Sequence, residues 1–432
     1  MAKTVAFYTL GCKVNQYDSQ AMLERFTQAG YQIKVFGEPA DVNVVVTCVV
    51  TAVGEQKSRQ MLHRASRMNP GAELVAAGCL AQKDAQKLKN FGARLILGNQ
   101  HREEVVKLLE EAVREGTQIV AVEDVRRIPY EDTHISRQEG HTRAILKIQE
   151  GCDSFCAYCI IPHVRGGIRS RSPEMVKAEA ERLVAAGYQE IVLTGIHLSS
   201  YGRDLDGAEL IDAIKCTALS GVARIRLGSL EPAIATERFI RELAVIPQVC
   251  PHFHLSMQSG SDSVLKRMRR RYTAEEYLSA ARRLQASFPG CALTTDVLVG
   301  FPGETEAEFT ETLAFCRKVG FAKMHVFPFS RRAGTAADRM PGQLSRAEKA
   351  NRAKIMAELD HELSFAYRSG MIGSVQEILF EKEDGAGRTE GFSPQYLQVV
   401  APGAKAGLMI SVRLDALTQD GFLGTIVERK EK

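Results

Sequence analysis

Three closely spaced cysteines form the most informative stretch of the sequence. Cys152, Cys156 and Cys159 follow the pattern C-x3-C-x2-C, directly after a strand-like run at 144–149. A loop with this spacing can bring three thiolates to three irons of a cubane [4Fe–4S] cluster, which leaves the fourth iron open for a substrate or cofactor. A zinc site is the alternative, because structural zinc takes four protein ligands and His163 is near enough in sequence to serve as the fourth.

A second set of cysteines is scattered along the chain, but its members share one kind of position. Cys12 follows the first strand-like run, Cys48 ends the third and Cys79 ends the fourth. In an open parallel sheet, ligands gather at the carboxyl ends of the strands. We therefore expect these three thiols to converge on a second cluster, again with three protein ligands. Cysteines that only fill a core would instead be scattered among strand middles and helix faces.

Composition limits the remaining possibilities. The chain has 432 residues, which is too long for one ordinary core and predicts two or three domains. Ten cysteines without a secretion signal argue against disulfides, and no apolar run reaches the length of a membrane span, so we expect a cytoplasmic protein and no membrane partner. The net charge of +4 permits a nucleic-acid partner without requiring one. The cysteines that fit no ligand spacing are predicted to pack in the interior: Cys216, Cys250, Cys291 and Cys316.

Strand and helix patterns divide the chain into three units and predict an α/β multidomain protein. Residues 1–125 alternate strands and helices, which predicts a doubly wound parallel sheet, and the polar segment 123–141 is predicted to be a linker. Residues 140–368 contain six further strand–helix units, which predict a partial (β/α)6 TIM-like barrel. Residues 370–432 contain short strands separated by glycine-rich turns, which predict a small all-β barrel.

The two cysteine triads and several longer segments resemble the radical S-adenosylmethionine (SAM) methylthiotransferase family over almost the whole chain. The segments GCKVNQ at 11–16, HVFPFS at 325–330 and EGFSPQYLQV at 390–399 resemble the branch that acts on tRNA carrying N6-threonylcarbamoyladenosine. The C-terminal unit resembles a TRAM domain, an RNA-binding barrel. The other segments that carry the resemblance are VVTCVVT, AAGCLAQ, GCDSFCAYCIIPHVRGGIRSR, LTGIHLSSYG, LGSLEP, HLSMQSGSDSVLKRMRRRYT and TTDVLVGFPGET.

The resemblance implies two [4Fe–4S] clusters and SAM as cofactors. In that case Cys152, Cys156 and Cys159 hold the cluster that cleaves SAM, while the dispersed triad of 1–125 holds an auxiliary cluster. SAM would be both the methyl donor and the source of the radical that removes hydrogen from adenine C2. The implied partners are tRNA, an electron donor such as flavodoxin or ferredoxin, and a sulfur donor.

Polar and small residues at strand ends are candidates for SAM contacts, and a set of arginines for substrate contacts. Among the former, Glu231 and Asp296 are favoured over the glycines, because a carboxylate at a strand end is costly to bury without a partner. The predicted SAM contacts are Tyr158, Gly195, Ser229, Glu231, Gln258 and Asp296. The arginines predicted to face substrate phosphate or the threonylcarbamoyl carboxylate are Arg165, Arg169, Arg171, Arg331 and Arg332. The run 266–271 holds five cations, which predicts either contact with tRNA phosphates or a solvated helix end.

Two other functions stay open at this point. The same two-cluster architecture would serve a methylthiotransferase that acts on isopentenyladenosine in tRNA or on an aspartate of a ribosomal protein. A non-enzymatic iron–sulfur RNA-binding protein is the other alternative, although structural clusters usually take four cysteines and each of these sets has three.

Overall fold

The computed structural model describes residues 2–126, 128–138, 140–384 and 387–427. Its first unit is a parallel sheet with strand order β2-β1-β3-β4-β5-β6. Both β3 and β4 are buried along nearly their whole length, as the apolar runs VNVVVT and ELVAAG require when helices cover both faces of a sheet. The elements are β1 (Thr4–Thr9), α1 (Lys13–Gln28), β2 (Gln32–Lys34), β3 (Val42–Thr47), α2 (Ala52–Met68), β4 (Glu73–Gly78), α3 (Cys79–Lys89), β5 (Leu95–Leu97), α4 (Val105–Arg114) and β6 (Ile119–Ala121).

The central unit is a partial barrel. Its parallel strands follow one another in chain order in two hydrogen-bonded groups, β7, β9 and β10 and then β11, β12 and β13, which meet through single bridges such as Leu230 to Leu255. The elements are β7 (Ala144–Glu150), α5 (Ile161–Arg165), β8 (Arg169–Ser170), α6 (Pro173–Ala185), β9 (Glu190–Gly195), α7 (Leu210–Ala218), β10 (Arg224–Leu227), α8 (Glu237–Ala244), β11 (His252–His254), α9 (Asp262–Arg267), α10 (Ala274–Ser287), β12 (Ala292–Val299), α11 (Glu306–Val319), β13 (Lys323–Pro328) and α12 (Arg346–Ser369).

The C-terminal unit is a closed barrel with strand order β14-β15-β16-β18-β17, in which β17 pairs with β14 to complete the circle. Closure leaves no free strand edge, so a unit this small needs no further sheet to cover it. Residues 428–432 of the predicted third unit lie outside the described residues. The strands are β14 (Val375–Glu383), β15 (Arg388–Phe392), β16 (Gln398–Pro402), β17 (Met409–Leu417) and β18 (Gly421–Ile426).

These three architectures confirm the predicted fold class. The segment 123–141 has no helix or strand among its described residues, which exclude Arg127 and Glu139, yet it is not a loose connection. Thr133 and Ile135 are fully buried, and the Tyr17 hydroxyl donates to the carbonyl of Thr133 at 2.6 Å. This segment therefore packs α1 of the first sheet against the central unit.

Candidate active site

The dispersed cysteines lie where strands of the first sheet meet the helices that follow them. Cys12 immediately precedes α1, Cys48 follows β3, and Cys79 is the first residue of α3. Gly11 has a φ of 106°, and a side-chain carbon at this position would lie 3.1 Å from the Sγ of Cys48. The loop that carries Cys12 is therefore pressed against Cys48, and a glycine permits that approach.

Arg165, at the end of α5 in the central unit, reaches the same place. Its Nε donates to the Sγ of Cys79 at 3.3 Å, and its side chain is fully buried. Burial raises the pKa of the Cys12 thiol, whereas the positive charge of Arg165 lowers it. The neighbouring thiols of Cys79 and Cys48 raise that pKa further, so all three lie within electrostatic range of one another.

Arg165 also belongs to a buried ion network between the first sheet and the central unit. Its Nη1 donates to Glu150 at 2.8 Å and lies 3.2 Å from Asp18. Asp18 also contacts Lys147 at 2.5 Å and Arg102 at 3.0 Å. Burial alone would raise the pKa of Asp18, but the three surrounding cations hold it well below its ordinary range. Removal of one member would leave an opposite charge buried without compensation.

The contiguous cysteines lie on a tightly folded loop after β7. Gly151 has a φ of 73°, and a side-chain carbon there would lie 1.8 Å from the carbonyl oxygen of Gly167. The next amide, that of Cys152, donates to the carbonyl of Gly166 at 2.9 Å. Phe155 takes a φ of 46°, a conformation that side chains rarely adopt. The loop is therefore shaped by its own backbone and by the returning chain at Gly166.

Arg270 approaches the contiguous triad much as Arg165 approaches the dispersed one. Its Nη1 donates to the Sγ of Cys156 at 3.3 Å. The amide of Ala157 donates to the carbonyl of Met268 at 2.9 Å, which ties the loop to the end of α9. Burial raises the pKa of Cys159 to about 12. The three cysteines are thus partly buried, and a guanidinium donor contacts the sulfur of Cys156.

The donor sets fit iron–sulfur clusters in chemistry and number. Within the described ranges, no three His, Cys, Asp or Glu side chains stand close enough together to hold a single metal ion. Each set nevertheless offers three thiols and one guanidinium that donates to a sulfur, Arg165 to Cys79 and Arg270 to Cys156. Hydrogen bonds to sulfur and partial burial are the means by which proteins tune such clusters.

Glu231 is the predicted SAM contact with the strongest electrostatic surroundings. Its carboxylate lies 2.8 Å from Arg270 and 3.2 Å from His197. Burial alone would raise the pKa of Glu231, but the neighbouring imidazole of His197 and the charge of Arg270 lower it to about 2. The residue therefore carries a negative charge beside the contiguous triad. The sequence analysis did not single out His197 and considered Arg270 only as part of the basic run 266–271, although both lie in segments that carry the family resemblance.

The other predicted SAM contacts lie near the carboxyl ends of their strands or in the adjoining loops. The amide of Gln258 donates to the carbonyl of Asp296 at 2.9 Å, and Gln258 has a φ of 67°. Tyr158 makes an edge-to-face contact with Phe301 at 6.5 Å between ring centroids. At Gly195, a side-chain carbon would lie 2.8 Å from the Oε1 of Gln149, so the backbone packs closely there.

The arginines predicted to meet the substrate have mixed surroundings. The side chains of Arg165 and Arg171 are fully buried among protein partners, and Arg169 and Arg332 are also buried. Arg331 is the exposed member, with 60% of its side chain accessible. The packing of the central unit against 123–141 and the first sheet encloses the charges of Arg165 and Arg171, and direct contact of these arginines with the substrate stays a prediction.

The basic run 266–271, which covers the end of α9 and the residues that follow it, divides into two groups. Arg267 pairs with a carboxylate of α11, and Arg270 points to the contiguous cysteines. Lys266, Arg269 and Arg271 are exposed, and no ion pair to any of them is found in the described part of the chain. Three exposed cations in six residues form a surface that suits phosphate groups.

A cavity of about 430 Å³ lies between the central strands and the C-terminal barrel. Two predicted SAM contacts, Ser229 and Asp296, line it, while its other polar residues were not predicted. His252 and His254 are two residues apart on β11, so their side chains lie on the same face of the strand. This spacing of two is a sequence signal that could have identified them. The charged and imidazole side chains of the wall are Lys13, His252, His254, Asp296, Lys323 and His325.

Comparison with known proteins gives matches over most of the chain. The family model described as Radical SAM superfamily matches residues 146–316, and the one described as Uncharacterized protein family UPF0004 matches residues 4–98. A Bacillus subtilis (strain 168) protein named threonylcarbamoyladenosine tRNA methylthiotransferase MtaB is 40% identical over 422 residues, which cover 95% of this chain and 93% of that protein.

Two further similarities complete the comparison. A Parafrankia sp. (strain EAN1pec) protein named tRNA-2-methylthio-N(6)-dimethylallyladenosine synthase is 36% identical over 93% of this chain and 84% of its own. The solved structure of the radical S-adenosylmethionine methyltransferase TsrM from Kitasatospora setae matches with a TM-score of 0.57 at 17% identity, over 78% of this chain and 77% of that one. At that identity the likeness concerns the fold alone. Among the described residues, no helix combines the length and apolar character needed to cross a membrane.

Proposed function

The chain belongs to the radical SAM tRNA methylthiotransferase family, and from this premise we propose that it converts N6-threonylcarbamoyladenosine next to the tRNA anticodon to its 2-methylthio derivative. The observation that carries the choice of substrate is the cavity beside Ser229 and Asp296, whose wall includes two lysines and three histidines among apolar residues. A threonylcarbamoyl group is polar and anionic, whereas an apolar dimethylallyl group would leave the Nδ1 of His252 and the Oε1 of Gln395 on this wall without hydrogen-bond partners. The name of the Bacillus subtilis relative supports the same substrate.

In this proposal the cysteines hold the cofactors. When bound, the clusters and SAM would supply the radical that removes hydrogen from adenine C2 and the methylated sulfur that takes its place. SAM and one [4Fe–4S] cluster follow from the family, and the second cluster is part of the proposal. The two proposed ligand sets are Cys152, Cys156 and Cys159, and Cys12, Cys48 and Cys79.

The chain's own residues would orient these groups. Arg270 and Arg165 each donate a hydrogen bond to one ligand sulfur, which fixes the side chain of Cys156 or Cys79. Glu231, held as a carboxylate, offers an acceptor to the cationic groups of SAM. Cys48 and Cys79 are buried and the contiguous cysteines are partly buried, which would limit the access of bulk water to a reactive radical.

The proposal also assigns the remaining surfaces. Lys266, Arg269 and Arg271 would bind phosphates of the anticodon stem, and the C-terminal barrel at 375–426 would hold the RNA by shape, since its strands close into a rigid unit. An electron donor, such as flavodoxin or ferredoxin, and a sulfur donor complete the set of proposed partners.

The test is a reconstitution in the absence of oxygen. The protein, with its iron and sulfide restored, is incubated with SAM, a reductant and one of three tRNAs that carry threonylcarbamoyladenosine, isopentenyladenosine or unmodified adenosine at the same position. We expect mass spectrometry of the nucleosides to detect the 2-methylthio group on the first tRNA alone. A product on the isopentenyladenosine tRNA alone, or on none of the three, would overturn the proposal, and Cys156→Ala is the inactive control.

A further inference from the structure

The charged groups on the wall of the cavity mostly have partners within the protein. Asp296 lies 3.4 Å from the Nε2 of His254, so its carboxylate is already in contact with an imidazole. Lys323 contacts Asp360 at 2.5 Å, so its ammonium group is neutralised by a residue of α12. Lys323 therefore already has a counter-charge in the protein, and Asp296 already has a contact with an imidazole.

Lys13 differs from these groups. It is exposed on the cavity wall at the start of α1, and the described residues provide no hydrogen bond or ion pair to its ammonium group. The nearby Arg143 and Arg226 are cations too, each paired with a carboxylate of its own, Glu381 and Glu190 respectively. The positive charge of Lys13 is therefore uncompensated, and such a charge in a cleft attracts an anion.

Two neutral polar groups on the same wall also lack partners. His252 is 9% exposed, and its Nδ1 has no hydrogen-bond partner among the described residues. The Oε1 of Gln395 is also buried and also has no hydrogen-bond partner among the described residues. Buried polar atoms in folded proteins are nearly always satisfied, so unpaired ones on a cavity wall indicate a polar ligand.

The C-terminal barrel holds Gln395 in place. Tyr396, the next residue, has a φ of 66° and stacks on Phe392 with 4.9 Å between ring centroids. The guanidinium groups of Arg143 and Arg226 each lie 4.8 Å from the centroid of the Tyr396 ring. The loop is thus clamped to the central unit, and the barrel supplies part of the cavity wall in addition to any contact with RNA.

We propose that Lys13 binds the carboxylate of the threonylcarbamoyl side chain and thereby selects the substrate, while His252 and Gln395 pair with its neutral polar groups. One uncompensated cation and two unpaired neutral groups match a ligand with one carboxylate, a hydroxyl and a ureido group. This inference rests on the proposed function and deepens it, because it names the residue that reads the modification. Lys13 directly follows Cys12, so a carboxylate bound there lies beside the dispersed triad.

The experiment compares two anticodon stem-loop RNAs that differ in one group. One carries the threonylcarbamoyl group, and the other carries the same group with a primary amide in place of the carboxylate. Dissociation constants from fluorescence anisotropy and KM for methylthiolation are measured with the cluster-loaded protein. Lys13→Met should weaken binding of the carboxylate RNA by about 10- to 100-fold, since it removes a charge-assisted hydrogen bond. Binding of the amide RNA should not change.

Two further variants sharpen the result. Lys13→Arg keeps the positive charge and should restore most of the affinity for the carboxylate RNA. Lys34→Met removes an exposed lysine from β2, away from the cavity, and should bind both RNAs as the unaltered protein does. Iron content and circular dichroism of each variant establish that it has folded and loaded its clusters.

The contrary outcomes are distinct. Equal weakening for both RNAs would make Lys13 a general RNA contact and overturn the proposal. A lower affinity of Lys13→Met for SAM would assign Lys13 to the methionyl carboxylate of SAM, which also overturns it. If the unaltered protein modifies isopentenyladenosine tRNA alone, the proposed function fails and the role of Lys13 fails with it. Modification of threonylcarbamoyladenosine with an unchanged KM in Lys13→Met would overturn the role of Lys13 alone.

Discussion

The two cysteine triads provide similar chemistry through opposite means. The contiguous triad lies on one loop after β7, where Gly151 and Phe155 take left-handed backbone conformations and neighbouring residues of the same unit hold the loop. The dispersed triad draws one cysteine from each of three strand–helix junctions, and its guanidinium donor, Arg165, comes from a different unit of the chain. The first site depends on one loop and its neighbours within a single unit, whereas the second needs a folded sheet and a docked neighbour.

The electrostatic surroundings differ in the same way. Arg270, beside the contiguous triad, pairs with Glu231 from the same barrel. Arg165, beside the dispersed triad, is joined to Asp18 of the first sheet and to Glu150 of the central unit. The difference indicates that interfaces between units matter more to the dispersed site, and the following substitutions test this.

The largest expected difference is in catalysis. Cys156→Ala should abolish SAM cleavage, because the contiguous triad would lose a ligand of the cluster that reduces SAM. Cys48→Ala should keep SAM cleavage but lose methylthiolation, with iron content near half in both variants. Iron and sulfide analysis together with detection of 5′-deoxyadenosine measures this. If Cys48→Ala kept all of its iron, the dispersed triad would not be a second cluster site.

The next largest difference is in stability. Arg165→Met should lower the free energy of unfolding by about 3–5 kcal/mol, because it leaves Asp18 and Glu150 buried with fewer compensating charges. Arg270→Met should cost less, since it removes one partner from the partly exposed Glu231. Urea unfolding followed by circular dichroism compares the two. Equal decreases in the free energy of unfolding would mean that the ion network between the units does not make the dispersed site more dependent on docking than the contiguous one.

A smaller effect should appear as a pH dependence. Burial alone would raise the pKa of Glu55 on α2, but hydrogen bonds from Lys83 and from Arg332 of the central unit hold it below its ordinary value of 4.5. A depressed pKa stabilises the folded state above pH 4.5, and this contribution is lost as the pH falls below that value. Cluster-free protein should therefore lose melting temperature on acidification, and Glu55→Gln should lose less. If melting temperature fell equally with pH in the unaltered protein and in Glu55→Gln, this explanation would be refuted.

The smallest effect is expected at a cysteine outside both triads. Cys216 lies half-buried on α7, distant from both ligand loops in sequence. Cys216→Ala should keep the full iron content and the activity of the unaltered protein, and its stability should change by less than about 1 kcal/mol. Loss of iron in this variant would show that the division of the cysteines into ligands and packing residues is wrong.

Much of the fold was predictable because its strands are long apolar runs with clear ends. The short strands β6, β8 and β15 were missed, since strands of two to five residues form only when a partner is already in place. The run YQIKVF at 31–36 predicts a strand of six residues, but β2 is limited to Gln32–Lys34, and Val35 just beyond it is 70% exposed. For the candidate active site, the position of a residue in its strand predicts the edge of the sheet at which it lies. It does not predict whether another unit of the chain covers that residue.

The sequence by itself determined that Cys152, Cys156 and Cys159 lie on one loop, because residues so close together in the chain stay close together in space. It also placed the dispersed cysteines at strand ends, since parallel strands share one carboxyl edge. Only the tertiary structure decided that Arg165 is buried against Cys79, and that Lys13 is left without a counter-charge beside a cavity closed by the C-terminal barrel. Charge compensation depends on which surfaces dock against each other, and contacts between residues far apart in the chain exist only after the units have packed.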